Sequence, residues 1–349
     1  MILSVLLAML MSSAGGPGAG SAGPPAGAEP RPLPVNVSLV PPLSVNSLFE
    51  YRTVNAFALD LLVGNSAELG GVEVSGIGSR NGEVRGAQIA GLGNWVEAGA
   101  YGRTGDARGA QVAGALNWTD GALRGAQVAG ALNFVGLDSS GAQIAGAANV
   151  ASAMSGVQIA GALNVASDAK GVQVATVNVS RQVNGAQVGV VNVAEEADIS
   201  IGAFSWVHHG THDAGLAATE YGVLVEADTG GRILYGILTG GMAYGSSPRR
   251  YLLGFGLGWR ALATEAVTLD VQATTMRMVD EDVWTDRYLS SARAVVAVRL
   301  AGPLSLFAGP TFNVFVDREA QKTDPVTYGW KIGSDTRLWP GILAGLRLF

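Results

Sequence analysis

The residues best equipped for chemistry are few and poorly supported by their surroundings. All three histidines fall in one segment, His208, His209 and His212, with Asp213 behind them. Clustered imidazoles can ligate Zn²⁺ or Ni²⁺, but no second ligand cluster accompanies these, and they are expected as solvated loop residues. Asp280, Glu281, Asp282 and Asp286 surround Trp284. Carboxylate oxygens hold Ca²⁺, yet the glycine-spaced frame of a dedicated calcium loop is missing, so a charged hairpin loop is expected. Gly254, Gly256 and Gly258 imitate a phosphate-binding fingerprint, but no helix follows them. They are expected to face a crowded barrel interior. The absence of cysteine excludes thiolate metal sites, thiol nucleophiles and disulfides. No nucleophile elbow, HExxH or paired-acid motif occurs. The sequence therefore designates no catalytic residue, no cofactor-binding residue and no metal ligand, and the protein is expected to be non-enzymatic.

A different set of polar residues recurs with regular spacing. Glutamines stand at 88, 111, 127, 143, 158, 173 and 187, and asparagines at 94, 117, 133, 149, 164, 178 and 192. They belong to a repeat that opens Gly-Ala/Val-Gln-Ile/Val-Ala and starts at Gly86, Gly109, Gly125, Gly141, Gly156, Gly171 and Gly185, with a degenerate copy at Gly71. After an insertion around Tyr101 to Asp106 the spacings are 16, 16, 15, 15 and 14. Apolar and small or polar residues alternate within a unit, which signals strand. One architecture stacks each unit as a coil of a β-solenoid, with branched residues inward and the amides forming ladders along the axis. The rival makes each unit one strand of a membrane barrel. The uniform linkers favour the solenoid, since membrane hairpins alternate short and long connections. So does the shortening of the Gln-to-Asn distance from six to five in the last two units. That slip would turn every later residue of a continuous strand to the other face.

Beyond Ile201 longer alternating strands begin. Tyr251, Leu253, Phe255, Leu257 and Trp259 alternate with Leu252, Gly254, Gly256, Gly258 and Arg260. Eight strands are expected, near 201–209, 220–228, 231–244, 250–263, 266–279, 290–300, 303–316 and 340–349. Long connections at 210–219, 280–289 and 317–339 would alternate with short ones, as in outer-membrane barrels. Arg347 occupies a position where such barrels usually carry an apolar residue.

Composition agrees with this all-β reading. Charged residues are 14% and glycine is 50 of 349, against about 25% and about 7% in ordinary domains. The net charge is −6 and no basic stripe appears, so nucleic acid is excluded as a partner. Outside the N-terminus no apolar run reaches the ~18 residues of a helical span. The run Ile2 to Met11, followed by Ala26-Gly27-Ala28, resembles a secretory signal with a cleavage site. The domain expectation is thus signal peptide 1–28, Pro-rich linker 29–45, leading strand region 46–70, repeat array 71–200 and β-barrel 201–349.

The stretch from Val54 through Asn192 resembles a family of bacterial outer-membrane and surface-repeat proteins built on G-V-Q-I-x-G-L-x-N-V units. Its members open with a strand like Asn55 to Leu61 and close with a β-rich region. The resemblance covers roughly residues 50 to 349. It implies an exported protein of the bacterial outer membrane, of unknown activity and without catalytic residues to transfer. The expected role is structural or contact-making, with membrane lipid as one partner and no cofactor. The alternative is a transporter whose repeats and C-terminal strands close into one wide barrel.

Overall fold

The structure, a computed structural model, describes residues 31–41, 43–49, 52–245, 249–280, 283–318 and 325–348. The expected signal peptide lies outside the described residues. The chain divides into two compact units, Met1–Gly185 and Ala186–Phe349.

The first unit is a β-solenoid. Equivalent residues of successive repeats pair in parallel: Gly125 with Gly141, Gln127 with Gln143, and Asn133 with Asn149. A barrel would have made these neighbours antiparallel, so the wide-barrel alternative loses its structural premise. The stack begins earlier than the repeat pattern suggests. Arg31–Val40, expected as part of a linker, is a strand that pairs in parallel with Thr53–Asp60. Pro32 and Pro34 are tolerated there because this is the first rung of the stack.

The amides do form ladders. Gln143 Nε2 donates to Gln127 Oε1 at 3.0 Å, and Gln158 Nε2 donates to Gln143 Oε1 at 2.7 Å. Asn133 Nδ2 donates to Asn149 Oδ1 at 2.9 Å and to the Ile144 carbonyl at 2.8 Å. These side chains are fully buried. The branched residues beside the glutamines turn out, contrary to the inward placement expected of them: Ile144 is 42% and Ile159 41% exposed, whereas Val84, Leu123 and Val135 are buried. Alternation specifies two faces and not which one is inside. The rung is narrow, so its inner positions take Ala145, Ala160 and amides that the neighbouring rungs satisfy. A satisfied amide costs little to bury, and the ladder fixes vertical register.

The shortened unit is absorbed at the turn, as the solenoid requires. Thr176 Oγ1 donates to the Gly161 carbonyl at 2.7 Å, and Asn164 still reaches Asn178 at 3.0 Å. Because each coil contacts only its neighbours, deleting Gly141 to Ser155 should let Gln158 stack on Gln127 and Asn164 on Asn133. The deleted protein is expected to fold with a modest loss in unfolding midpoint. Loss of cooperative unfolding would show that coils are not interchangeable.

The second unit contains the last rungs and a closed antiparallel barrel. Phe204–Val207 pairs in parallel with Val191–Ala194, so the expected strand 201–209 is a rung and not a barrel strand. The barrel strands are β1 (Thr211–Thr219), β2 (Gly222–Gly230), β3 (Leu234–Ala243), β4 (Arg250–Ala263), β5 (Val267–Asp280), β6 (Val283–Ala301), β7 (Leu304–Asp317) and β8 (Thr336–Leu348). Consecutive strands pair antiparallel, and β8 closes on β1 with Ala214 opposite Leu348. The segment 210–219, expected as a long loop, is thus mostly β1, and β6 takes up most of 280–289. Of the long connections, 318–335 remains; within it Trp330–Ile332 pairs with β8.

Closure brings the start of β1 and the end of β8 to one rim, together with the tight connections 231–233, 264–266 and 302–303. The last rungs dock on that rim. Ile199 pairs with Leu234, and Arg232 N donates to the Ala197 carbonyl at 2.9 Å.

Candidate functional site: a charged barrel interior and a carboxylate pair

Outward positions of the barrel are apolar. Along β4 they are Tyr251, Leu253, Phe255, Leu257 and Trp259, with Phe255 67% exposed. Leu216, Leu238, Leu306 and Ile342 continue the belt, each at least half exposed. Among the described residues the charges on outward strand positions are Arg277 and Asp286, which pair with each other at 3.1 Å near one rim.

Inward positions hold the charges. Arg347 lies within 3.4 Å of Asp213, 3.2 Å of Asp270 and 3.5 Å of Asp228. Arg260 meets Asp213 at 3.2 Å and Asp270 at 3.0 Å. Two guanidiniums thus join three carboxylates from β1, β2, β4, β5 and β8 near the tight-turn rim. Arg293 pairs with Glu226 farther in. Toward the other rim, Glu220 accepts from Trp339 Nε1 at 2.6 Å and from Asn313 Nδ2 at 2.9 Å. Eight strands enclose only enough space for side chains, and these residues occupy it. Gly254, Gly256 and Gly258 do face this interior: a Cβ at 258 would lie 2.2 Å from the Tyr235 ring. Their role is room for neighbouring side chains.

Sequence reading missed this network. Its residues are spread from 213 to 347, and each alone looks like a stray charge in an apolar strand. A signal was present, since Asp270, Arg260 and Arg347 all have the parity opposite to the apolar column of their strand.

The histidines do not form a site. His212 Nε2 contacts the Val207 carbonyl, and His209 Nδ1 is 3.9 Å from Glu196. Among the described residues no three His, Cys, Asp or Glu side chains converge as metal ligands. In the acidic segment, Asp286 pairs with Arg277 at 3.1 Å; the side chains of 280–285, Trp284 included, lie outside the described residues.

The repeat array has two polar features of its own. A surface trough of about 600 Å³ runs along one edge, lined by Arg124, Asp138, Ser140, Ser155, Asp168 and Lys170 among others. Arg181 pairs with Asp168 at 2.6 Å beside it. The second feature is inside. Glu73 stands in the column that Gln88 and its successors continue, and Gln88 donates to it at 3.4 Å. Asp60 lies against it, accepting from Asn36 at 3.2 Å and Ser75 at 3.1 Å. Burial, followed by the charge of Asp60, pushes the Glu73 carboxyl up to about 8, and burial raises Asp60 as well.

A carboxyl whose folded value is raised stabilises the fold while it holds its proton. That contribution is complete below its unfolded value and is lost as pH rises through the folded one. The array should therefore weaken between about pH 4.5 and pH 8. Glu73→Gln extends the amide ladder by one rung and removes the titration. It should raise stability at pH 8 by on the order of 1–3 kcal/mol and flatten the pH dependence in chemical unfolding. An unchanged pH profile would place the titrating group elsewhere.

No family model, no curated protein and no solved structure matches the chain.

Proposed function

We propose that this protein is a non-enzymatic component of the bacterial outer membrane, anchored by its eight-stranded barrel and making contacts through its repeat array. The observation that carries the reading is the inversion of the barrel: charges and amides inside, a continuous apolar belt outside. A water-soluble barrel has the opposite reason to place its charges, since water solvates them without ion pairing. The resemblance to outer-membrane and surface-repeat proteins and the signal-like N-terminus support the same location. No helix of the described residues is long and apolar enough to cross a membrane.

Sidedness follows from parity. Short turns of such barrels face the periplasm. The rim with connections 231–233, 264–266 and 302–303 carries both the start of β1 and the end of β8. The residues 196–207 that dock on that rim accordingly belong to the periplasmic side, and the connection between β7 and β8 faces outward. A transport role is disfavoured because eight strands leave no aqueous channel.

Three measurements test this reading. Phe255→Lys should cost about 2–4 kcal/mol in folding into lipid vesicles if Phe255 sits at mid-bilayer depth, and would cost almost nothing in a water-soluble barrel. The purified protein should give no stable single-channel conductance in planar bilayers. Recovery of the folded protein without detergent, or steady ion flow, would overturn the assignment.

A further inference from the structure

One face of the repeat array is apolar over its whole height. Nine parallel-paired rungs, from Val35/Val37 through Phe57/Leu59 to Val172/Val174, present two outward columns in register. Among the described residues these columns contain no charge. Their larger members are about 40% exposed, for example Val112 at 41%, Val128 at 39% and Ile144 at 42%. At about 4.8 Å per rung the face is roughly 40 Å tall, and with its flanking corner column roughly 15 Å wide. That is on the order of 600 Å² in projection, comparable to the ~800 Å² per partner of a stable protein interface. Solitary soluble surfaces rarely leave so large an apolar patch uncovered.

The relief of the face identifies what fits it. Over four successive rungs the first column is alanine (87, 110, 126 and 142) and the second, two residues on, is Ile or Val (89, 112, 128 and 144). A valley and a ridge therefore run side by side with the same rise. We propose that this face is covered by a second copy of the same chain, in a parallel pair related by a two-fold axis along the solenoid axis. That operation, and not an antiparallel one, sets the ridge of each copy over the valley of the other. It also keeps both sets of rungs at the same height, so Ile144 of one copy lies over Ala142 of the other. Such an isologous contact closes on itself as a dimer. A lipid surface would also cover apolar side chains, but it gains nothing from a matched ridge, valley and rung spacing.

The full chain, reconstituted in nanodiscs large enough for two barrels and diluted from micromolar concentration, tests the proposal by mass photometry. The unaltered protein should be dimeric. Ile144→Glu and Ala142→Lys should each weaken association at least tenfold. An equimolar mixture of the two should recover dimers, because the carboxylate of Ile144→Glu then faces the ammonium of Ala142→Lys across the same rung. Ser155→Glu, on the polar edge, should leave the dimer intact, and retained amide-exchange protection of the rungs would show that all variants are folded. A monomeric unaltered protein would overturn the proposal, as would dimers indifferent to Ile144→Glu or dissociated equally by Ser155→Glu. Single copies whose array binds empty phosphatidylcholine vesicles would assign the face to lipid instead.

Discussion

Arg347→Ala is expected to abolish assembly of the barrel. Arg347 is the β8 residue that touches Asp213 on β1, Asp228 on β2 and Asp270 on β5. It is 2% exposed, and each of its three partners is buried. Without it, Asp213 and Asp270 keep only Arg260, and Asp228 loses the cation it pairs with. Removing one partner of a buried ion pair costs about 3–5 kcal/mol, a large share of the ~5–15 kcal/mol that stabilises a typical domain. Arg347→Lys keeps the charge but loses the fork that reaches several carboxylates at once, so it should fall between the two. Adding Asp228→Asn to Arg347→Ala removes one orphaned charge and should recover part of the loss. Heat-modifiable migration of the folded barrel after refolding into vesicles reads all four proteins. If Arg347→Ala assembles as well as the unaltered chain, the interior network is not what closes the barrel.

Gly141→Val should have a comparably large effect on the repeat array. Gly141 has φ of +128°, and a Cβ there would lie 2.0 Å from the carbonyl oxygen of Gly125 in the rung below. That contact is backbone on backbone, so no side chain can move aside. The rungs would have to part, taking their hydrogen bonds with them, and the cost should exceed about 4 kcal/mol, the range of the severest single substitutions. Gly99→Ala separates strain from collision. Gly99 also has positive φ, +78°, but an added Cβ meets nothing within 4 Å. It should cost only about 1–3 kcal/mol of backbone strain. Hydrogen exchange of residues 125–160 would report the difference, and equal protection in Gly141→Val and the unaltered protein would rule out close rung contact at this column.

The coils were legible because a repeat with one Gln and one Asn per unit leaves few alternatives to stacking. Which way its faces point was not. Ile144 and Gln143 differ by one position, and hydrophobicity alone sends Ile144 inward; only the partner amides on the next rungs make Gln143 cheap to bury. The outward column of the barrel, Tyr251 to Trp259, was visible from alternation. The start of the barrel was not, because Phe204–Val207 alternates like a membrane strand: Phe204 and Trp206 are both about half exposed. The ion-pair network was hidden because it joins positions as distant as Asp213 and Arg347, and nothing local in either strand marks the other. The first rung was masked by its prolines, which suggest an extended linker and tolerate an edge strand equally well.

The direction of the bonds in the array also governs how it bears load. Backbone bonds and amide ladders between coils both run along the axis. A pull on the first rung along that axis loads one coil at a time, as in peeling, while a pull along the strands shears many bonds together. Each coil set free would release about 15 residues, or roughly 50 Å of extended chain, leaving the next coil intact and still capped by its own ladder. An array built this way yields in small, repeatable steps under tension and rewinds from whichever coils remain. The barrel, whose bonds link strands around a closed ring, has no free end from which such unravelling can start.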